Sequence, residues 1–328
     1  MTVHWGILST ANINRRIIPA IRLSKRGELV AVASRDQARA ETYAAQWEIP
    51  NAFGDYLSLL ESDLIDAVYI SLPNHMHAEW TVKSLEAGKH VLCEKPFALT
   101  IDEVDRMIAT SQASGLVLSE AFMYRHHPQT KQAGEWVKEG RLGEISLVRG
   151  TFNFKIQNRK NIRLDPDMGG GSLWDIGIYP VSMAQYVMDE SPEWVYGDQW
   201  IGDTGVDETF SGQMHYRGGR LAQIASSFRT PFYTIVEIMG TEGTLTINRP
   251  FIQMDKERQL IFRSSTGETQ IIPVPEKELY LGEIEDMNAA ILDGNPPYIS
   301  LEETRNHIRS LLALYESAQR HEVVRLEK

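Results

Sequence analysis

The chain has 328 residues, a net charge of −11, and 42% hydrophobic and 23% charged residues, with a single cysteine, Cys93. The composition is ordinary for a globular protein, and the length makes two domains the default expectation. The lack of a basic block argues against nucleic acid as a partner, no apolar run approaches the ~20 residues of a membrane span, and one cysteine excludes an intrachain disulfide or a thiolate metal site.

Met1 to Gly6 lacks the basic and apolar regions of a signal peptide and reads directly as a strand, so the expectation is a cytoplasmic protein. Val3 to Leu8 is the first strand, and a helix follows through Ile17, Ile18, Ala20 and Ile21. Glu28 to Ala33 is a second strand, after which Asp36 caps a helix. Asp66 to Ser71 is a continuous apolar run of the kind buried on both faces of a parallel sheet. A helix from His75 to Ala87 stops at Gly88, and His90 to Cys93 is the next strand, placed as the fifth of its sheet. Thr100 with Glu103 opens a helix through a capping box, and Leu116 to Ser119 is one more strand. This alternation predicts a doubly wound parallel sheet.

The rhythm changes after a helix over Gln129 to Lys138. Strands then follow one another at 145–156, 195–200, 209–216, 221–228, 235–239 and 244–247, with a hairpin at Arg217-Gly218-Gly219-Arg220. The expected fold class is α/β: a nucleotide-binding domain of residues 1–122 joined by the C-terminal helix 298–328, and an α+β domain of residues 123–297 built on a largely antiparallel open sheet.

Candidate chemistry gathers at the ends of the parallel strands, where ligands bind such sheets. The turn Gly6-Ile7-Leu8-Ser9-Thr10-Ala11-Asn12-Ile13 stands where a dinucleotide enzyme has its Gly-x-Gly-x-x-Gly turn. Ser9 and Ala11 are compact enough for a pyrophosphate to approach, with Thr10, Asn12 and Ile13 leading to the amides of a helix N-terminus; the alternative is a plain tight turn. Ser34 and Arg35 follow the second strand, where an NAD enzyme carries an acid; they suit a 2′-phosphate, which favours NADP(H) over NAD(H). Ser71, Leu72, Pro73, Asn74 and His77 are further cofactor candidates. His75 and His77 lack companion carboxylates or thiolates, so no metal is expected. Adjacent His126 and His127 point different ways and do not make a site.

Glu94-Lys95-Pro96 ends the fifth strand. A lysine there is costly unless it has a task, and it falls where a nicotinamide would lie. A cis Lys95–Pro96 bond would turn Lys95 inward. Further on, Gly169-Gly170-Gly171 leads to Asp175 and Tyr179, four positions apart and on one face if helical. Ser172 and Asp175 also fit a capping box without catalytic content. A phenol with an ordinary pKa of about 10 is a poor base at neutral pH, and a neighbouring ammonium lowers that value. Lys95, Tyr179 and Asp175 are therefore the candidate catalytic group, with Glu94 fixing the loop.

These segments resemble the glucose–fructose oxidoreductase/inositol dehydrogenase (Gfo/Idh/MocA) family. The resemblance rests on Pro73-Asn74-x-x-His77, Ala87 to Pro96, and Gly169-Gly170-Gly171 leading to Asp175-x-Gly177-x-Tyr179, and it spans essentially the whole chain. It implies a Rossmann domain, a catalytic Lys95, and Tyr179 as proton donor or acceptor, in the branch with dihydrodiol dehydrogenase, aldose dehydrogenases and anhydrofructose reductase. It also implies cofactor or substrate-edge roles for Arg125, Arg163 and Tyr280, and a homodimer or homotetramer through the second sheet. The departure is the first turn, with Ser9 and Ala11 for glycines. The expected function is NADP(H)-dependent hydride transfer at a CH–OH group of a sugar or polyol, with dihydrodiol oxidation as an alternative. NAD-dependent glycoside cleavage by transient oxidation and a silent NADP(H)-binding regulator are the competing classes.

Overall fold

The computed structural model describes residues 1–252 and 259–326. The chain divides into two compact units, Met1–His126 with Glu278–Arg305, and His127–Lys277 with Asn306–Lys328.

In chain order the first unit holds β1 (Val3–Leu8), α1 (Asn14–Leu23), β2 (Gly27–Ala33), α2 (Gln37–Trp47), β3 (Asn51–Phe53), α3 (Tyr56–Leu60), β4 (Ala67–Ile70), α4 (His77–Glu86), β5 (His90–Glu94), α5 (Ile101–Ser114) and β6 (Leu118–Ala121). All its strand pairs are parallel, in the order β3-β2-β1-β4-β5-β6. This is the doubly wound arrangement the sequence predicts, with its switch point between β1 and β4. Every residue of β4 is buried, as helices on both faces require. Asp36 caps α2 by accepting from the Arg39 amide at 2.8 Å. Thr100 and Glu103 form the full capping box of α5. The helix expected from His75 begins instead as a 3₁₀ turn over Asn74–Met76 before α4.

The second unit holds α6 (Pro128–Lys138), β7 (Ile145–Asn153), α7 (Ile178–Met188), β8 (Trp194–Ile201), β9 (Asp207–His215), β10 (Leu221–Ser227), β11 (Tyr233–Gly240), β12 (Gly243–Asn248), β13 (Gln259–Ser264) and β14 (Thr269–Ile272). The chain continues through α8 (Leu281–Asp293) in the first unit to α9 (Leu301–Arg320), and ends with β15 (Val324–Arg325). The order of the second sheet is β14-β13-β12-β11-β7-β10-β9-β8-β15. Among the described residues of this sheet only β7 and β10 pair in parallel. Burial alternates along β11 and β12, so one face is packed and the other open.

The C-terminal return differs from the expected bounds. It starts at Glu278 rather than residue 298, and the chain from Asn306 belongs to the second unit. The reason lies in buried polar pairing. Trp5 donates its indole N–H to Asn288 of α8 at 3.0 Å, and Asn288 donates to the Ser24 hydroxyl. The far part of α9 is held elsewhere: the Gly197 amide donates to Ser317, and Val324 pairs with Val195. Among the described residues no helix is long and apolar enough to cross a membrane.

Candidate active site

The first turn of the first unit is organised by Ser9, whose φ of +121° lies in a region that favours glycine. Its hydroxyl lies 2.8 Å from the Ser71 hydroxyl and accepts from the Ala11 amide at 3.1 Å. Asn14 donates to the Ser9 carbonyl at 2.9 Å, and Ser71 donates to Asn14 at 2.6 Å. A polar network thus holds the serine where the usual motif relies on glycine, and it joins the turns after β1 and β4. Thr10, Ala11, Asn12 and Ile13 keep some surface exposed around α1's first turn. Leu72 is buried, whereas Pro73 and Asn74 are partly exposed at the end of β4.

At the end of β2, Ser34 is buried and its amide donates to Phe53. Arg35 is exposed and makes no hydrogen bond or ion pair among the described residues. A second guanidinium, which motif reading misses, stands close by: Arg39 donates from Nε to the Thr10 hydroxyl at 2.8 Å. Arg35 and Arg39 both act electrostatically on Tyr56. Asp36, the one acid in this stretch, is occupied as the α2 cap.

At the end of β5, Tyr69 donates its hydroxyl to Glu94, and the Lys95 amide donates to the other Glu94 oxygen at 3.2 Å. Glu94 therefore fixes the backbone that carries Lys95. The Lys95–Pro96 peptide is cis. His77 is buried, with Nδ1 2.8 Å from the Pro96 carbonyl and Nε2 2.8 Å from the Leu72 carbonyl. Two carbonyls favour the doubly protonated ring, but burial is the larger influence and holds the pKa below the ordinary histidine value. His77 is a brace between two loops. His127 caps α6 by accepting from the Gln129 amide, and His126 packs against Tyr298.

Arg125 is buried, ion-paired with Glu303, and lies over the Tyr298 ring. Tyr280 is also buried, and burial first, then Glu94, raises its pKa. Glu283 is 2% exposed, and among the described residues neither of its carboxyl oxygens has a hydrogen-bond partner. Burial, then Glu94, pushes its pKa well above the usual carboxylate range. In the unfolded chain it ionises near the ordinary value. A folded pKa above the unfolded one therefore costs stability progressively as pH rises above ~4.5. Glu283→Met should stabilise the protein by about 1–3 kcal/mol at pH 8 and by less at pH 5. Thermal melts at both pH values read this; an equal shift at both excludes the buried-acid explanation.

In the second unit, Gly169-Gly170-Gly171 makes a close approach that side chains would block. A Cβ on Gly170 would sit 2.7 Å from the Arg163 and Asp165 carbonyls. Gly171 has a φ of +133°, and a Cβ there would lie 2.3 Å from Asp207 Oδ1. A π-helical turn follows over Leu173–Gly177, running into α7. The expected capping box at Ser172 does not form. The Ser172 hydroxyl donates instead to Asp207 at 2.7 Å, across 35 residues of sequence. The π turn also replaces the expected α-helical spacing of Asp175 and Tyr179. Asp175 accepts from Arg163 Nε at 2.6 Å, joining two predicted site residues. Tyr179 is buried, its ring 5.5 Å from Phe152 and 5.3 Å from Phe251. These two phenylalanines had no signal beyond apolar periodicity.

Residues 3–122 match an oxidoreductase family with an NAD-binding Rossmann fold, and residues 130–246 match the GFO/IDH/MocA C-terminal domain. The chain is 37% identical to a D-xylose 1-dehydrogenase (NADP(+)) of Haloferax volcanii, over 98% of this chain and 99% of that one. Among solved structures it is similar to KijD10, a 3-ketoreductase from Actinomadura kijaniata in complex with NADP and TDP-benzene. That likeness has a TM-score of 0.91 at 29% identity and covers 97% of this chain and 98% of the other. It is also similar to an aldose-aldose oxidoreductase from Caulobacter crescentus complexed with glycerol, at a TM-score of 0.92, 25% identity, and 99% and 100% coverage. With both halves matched and the sheet order in agreement, the chain belongs to the GFO/IDH/MocA oxidoreductase family.

Proposed function

We propose that this oxidoreductase is an NADP(H)-dependent dehydrogenase of an aldose or a closely related sugar alcohol. The observation that carries the reading is the pair of guanidinium groups, Arg35 and Arg39, at the end of β2, where the only acid is spent on capping. Two cations beside a buried serine fit a 2′-phosphate. The turn at Ser9 and the start of α1 fit the pyrophosphate, since Thr10, Asn12 and Ile13 keep surface exposed there at a helix N-terminus. The sugar follows from the similarity to a D-xylose dehydrogenase along its whole length.

A dinucleotide held by the turn at Ser9 and by Arg35 and Arg39 would supply the hydride acceptor for alcohol oxidation and the hydride donor for carbonyl reduction. The chain's own task is the proton. In oxidation the Tyr179 phenolate takes it from the substrate hydroxyl; in reduction the Tyr179 phenol returns it to the forming alkoxide. Lys95 supplies positive charge that favours the phenolate, and Asp175, held by Arg163, orients the polar groups around the substrate.

A panel of aldoses, ketoses and dihydrodiols with NADP+ and NAD+, followed by absorbance of the reduced cofactor, tests the reading. Reduction of NADP+ by at least one aldose is expected. Cofactor retained through purification, with no net absorbance change but glycoside cleavage, replaces it by the transient-oxidation chemistry. Arg35→Ala should weaken NADPH binding by about 1–3 kcal/mol and NADH binding little. Equal losses in calorimetry would mean that Arg35 does not read the phosphate. The exposed Tyr196, Trp200 and Tyr233 on the second sheet support assembly through that sheet; a monomer in light scattering removes this part of the reading.

A further inference from the structure

We propose that Asp207 is a positioning residue: it clamps the entry of the segment that carries Asp175 and Tyr179. This rests on the reading of Tyr179 as the proton-transfer group. Asp207 begins β9 and is 2% exposed. Its Oδ2 accepts from the Ser172 hydroxyl at 2.7 Å and from the Leu173 amide at 2.8 Å, and its Oδ1 accepts from the Tyr315 hydroxyl of α9 at 2.7 Å. The Leu173 amide is one of the N–H groups that a helix start leaves without an intrahelical partner. Ser172 is backed by the Ser226 hydroxyl on β10 at 2.9 Å. One carboxylate therefore ties β9, α9 and the π turn together, beside a glycine whose missing Cβ makes room for it.

Burying this acid is unfavourable in itself. Desolvation pushes its pKa up to about 6 even though three donors pull it down. An apolar side chain would avoid that cost but would leave the three donors without an acceptor. What the carboxylate adds is two acceptor atoms in fixed positions, and hence a fixed register for Leu173 and the six residues that follow it to Tyr179. Register matters because a displacement of about 1 Å at a reacting group costs on the order of 10²-fold in rate.

The test uses the full chain with NADP+ and an accepted sugar. Asp207→Ala should lower kcat by about 30–300-fold, leave the KM for NADP+ within about threefold, and speed amide hydrogen exchange over 173–179 at least tenfold. Asp207→Asn should recover most of the loss. Its Oδ1 can accept from Leu173 and Ser172 while its amide donates to a rotated Tyr315 hydroxyl. If Asp207→Ala does not fold, the Ser172→Ala/Tyr315→Phe double variant, which keeps the carboxylate but removes two of its donors, should still raise exchange and lower kcat tenfold or more. Wild-type kcat per folded molecule with unchanged exchange, in either variant, overturns the clamp. Exchange separates this idea from the one it rests on. Faster exchange in Asp207→Ala alongside full turnover in Tyr179→Phe keeps the clamp and removes the tyrosine role.

Discussion

Tyr179→Phe is expected to lower turnover on an accepted aldose by ~10²–10⁴-fold, the usual scale for a positioned acid or base. Cofactor affinity should stay within about twofold, because in the proposed mechanism the phenol acts on the substrate oxygen and not on the dinucleotide. The substitution removes one oxygen and keeps the ring between Phe152 and Phe251, so the packing of the site is preserved. That makes the result readable: a large fall in kcat with unchanged melting and unchanged NADPH titration belongs to proton transfer. Near wild-type turnover on a verified substrate would falsify the tyrosine assignment. His77 would then be a poor replacement, since it is buried between two carbonyls as a brace. Asp175 would become the remaining acid of the segment, and Asp175→Asn would be the next variant to measure.

Where the sequence proved legible, local chemistry was in charge. The strands of the parallel sheet announce themselves by runs such as Ala67–Ile70, buried throughout. The caps at Asp36 and Thr100 form because both partners lie within three residues. Short or polar elements escape such reading. β3 has three residues, α3 has five, and β14 shows burial only at Ile272. The site fails in a more instructive way. Ser172 and Asp175 have the spacing of a capping box, yet Ser172 takes helical dihedrals and the Asp175 amide donates to the Gly171 carbonyl, while the Ser172 hydroxyl donates to Asp207, 35 residues away. The same holds for Arg39, whose position near Thr10 depends on a contact 29 residues apart. Local rules identify candidate partners, but a distant carboxylate whose own burial leaves it strongly in need of donors can recruit a hydroxyl that local spacing assigns to a cap.

Lys95→Met is the sharper test of mechanism, because it changes charge while keeping an unbranched stem of similar length. The expectation is a loss of turnover at least as large as in Tyr179→Phe, on the order of 10²-fold or more. The pH dependence should move as well. Under the proposed mechanism the oxidative rate rises as the phenol loses its proton, and a cation acting on that phenol brings the rise to lower pH. Removing the cation should shift the rise upward by about 1–3 pH units, so the variant gains activity in a range where the wild type has levelled off. Glu94 and Tyr69 fix the backbone at this position through the carboxylate and the Lys95 amide, contacts that methionine retains, so the loop should keep its shape. A lowered rate with an unmoved pH profile would mean that Lys95 serves by hydrogen bonding to the substrate oxygen and not through its field on the phenol. Lys95→Arg separates the two further. It preserves the charge but replaces a compact ammonium with a planar fork, so it should leave the profile near the wild-type position even where the rate is low.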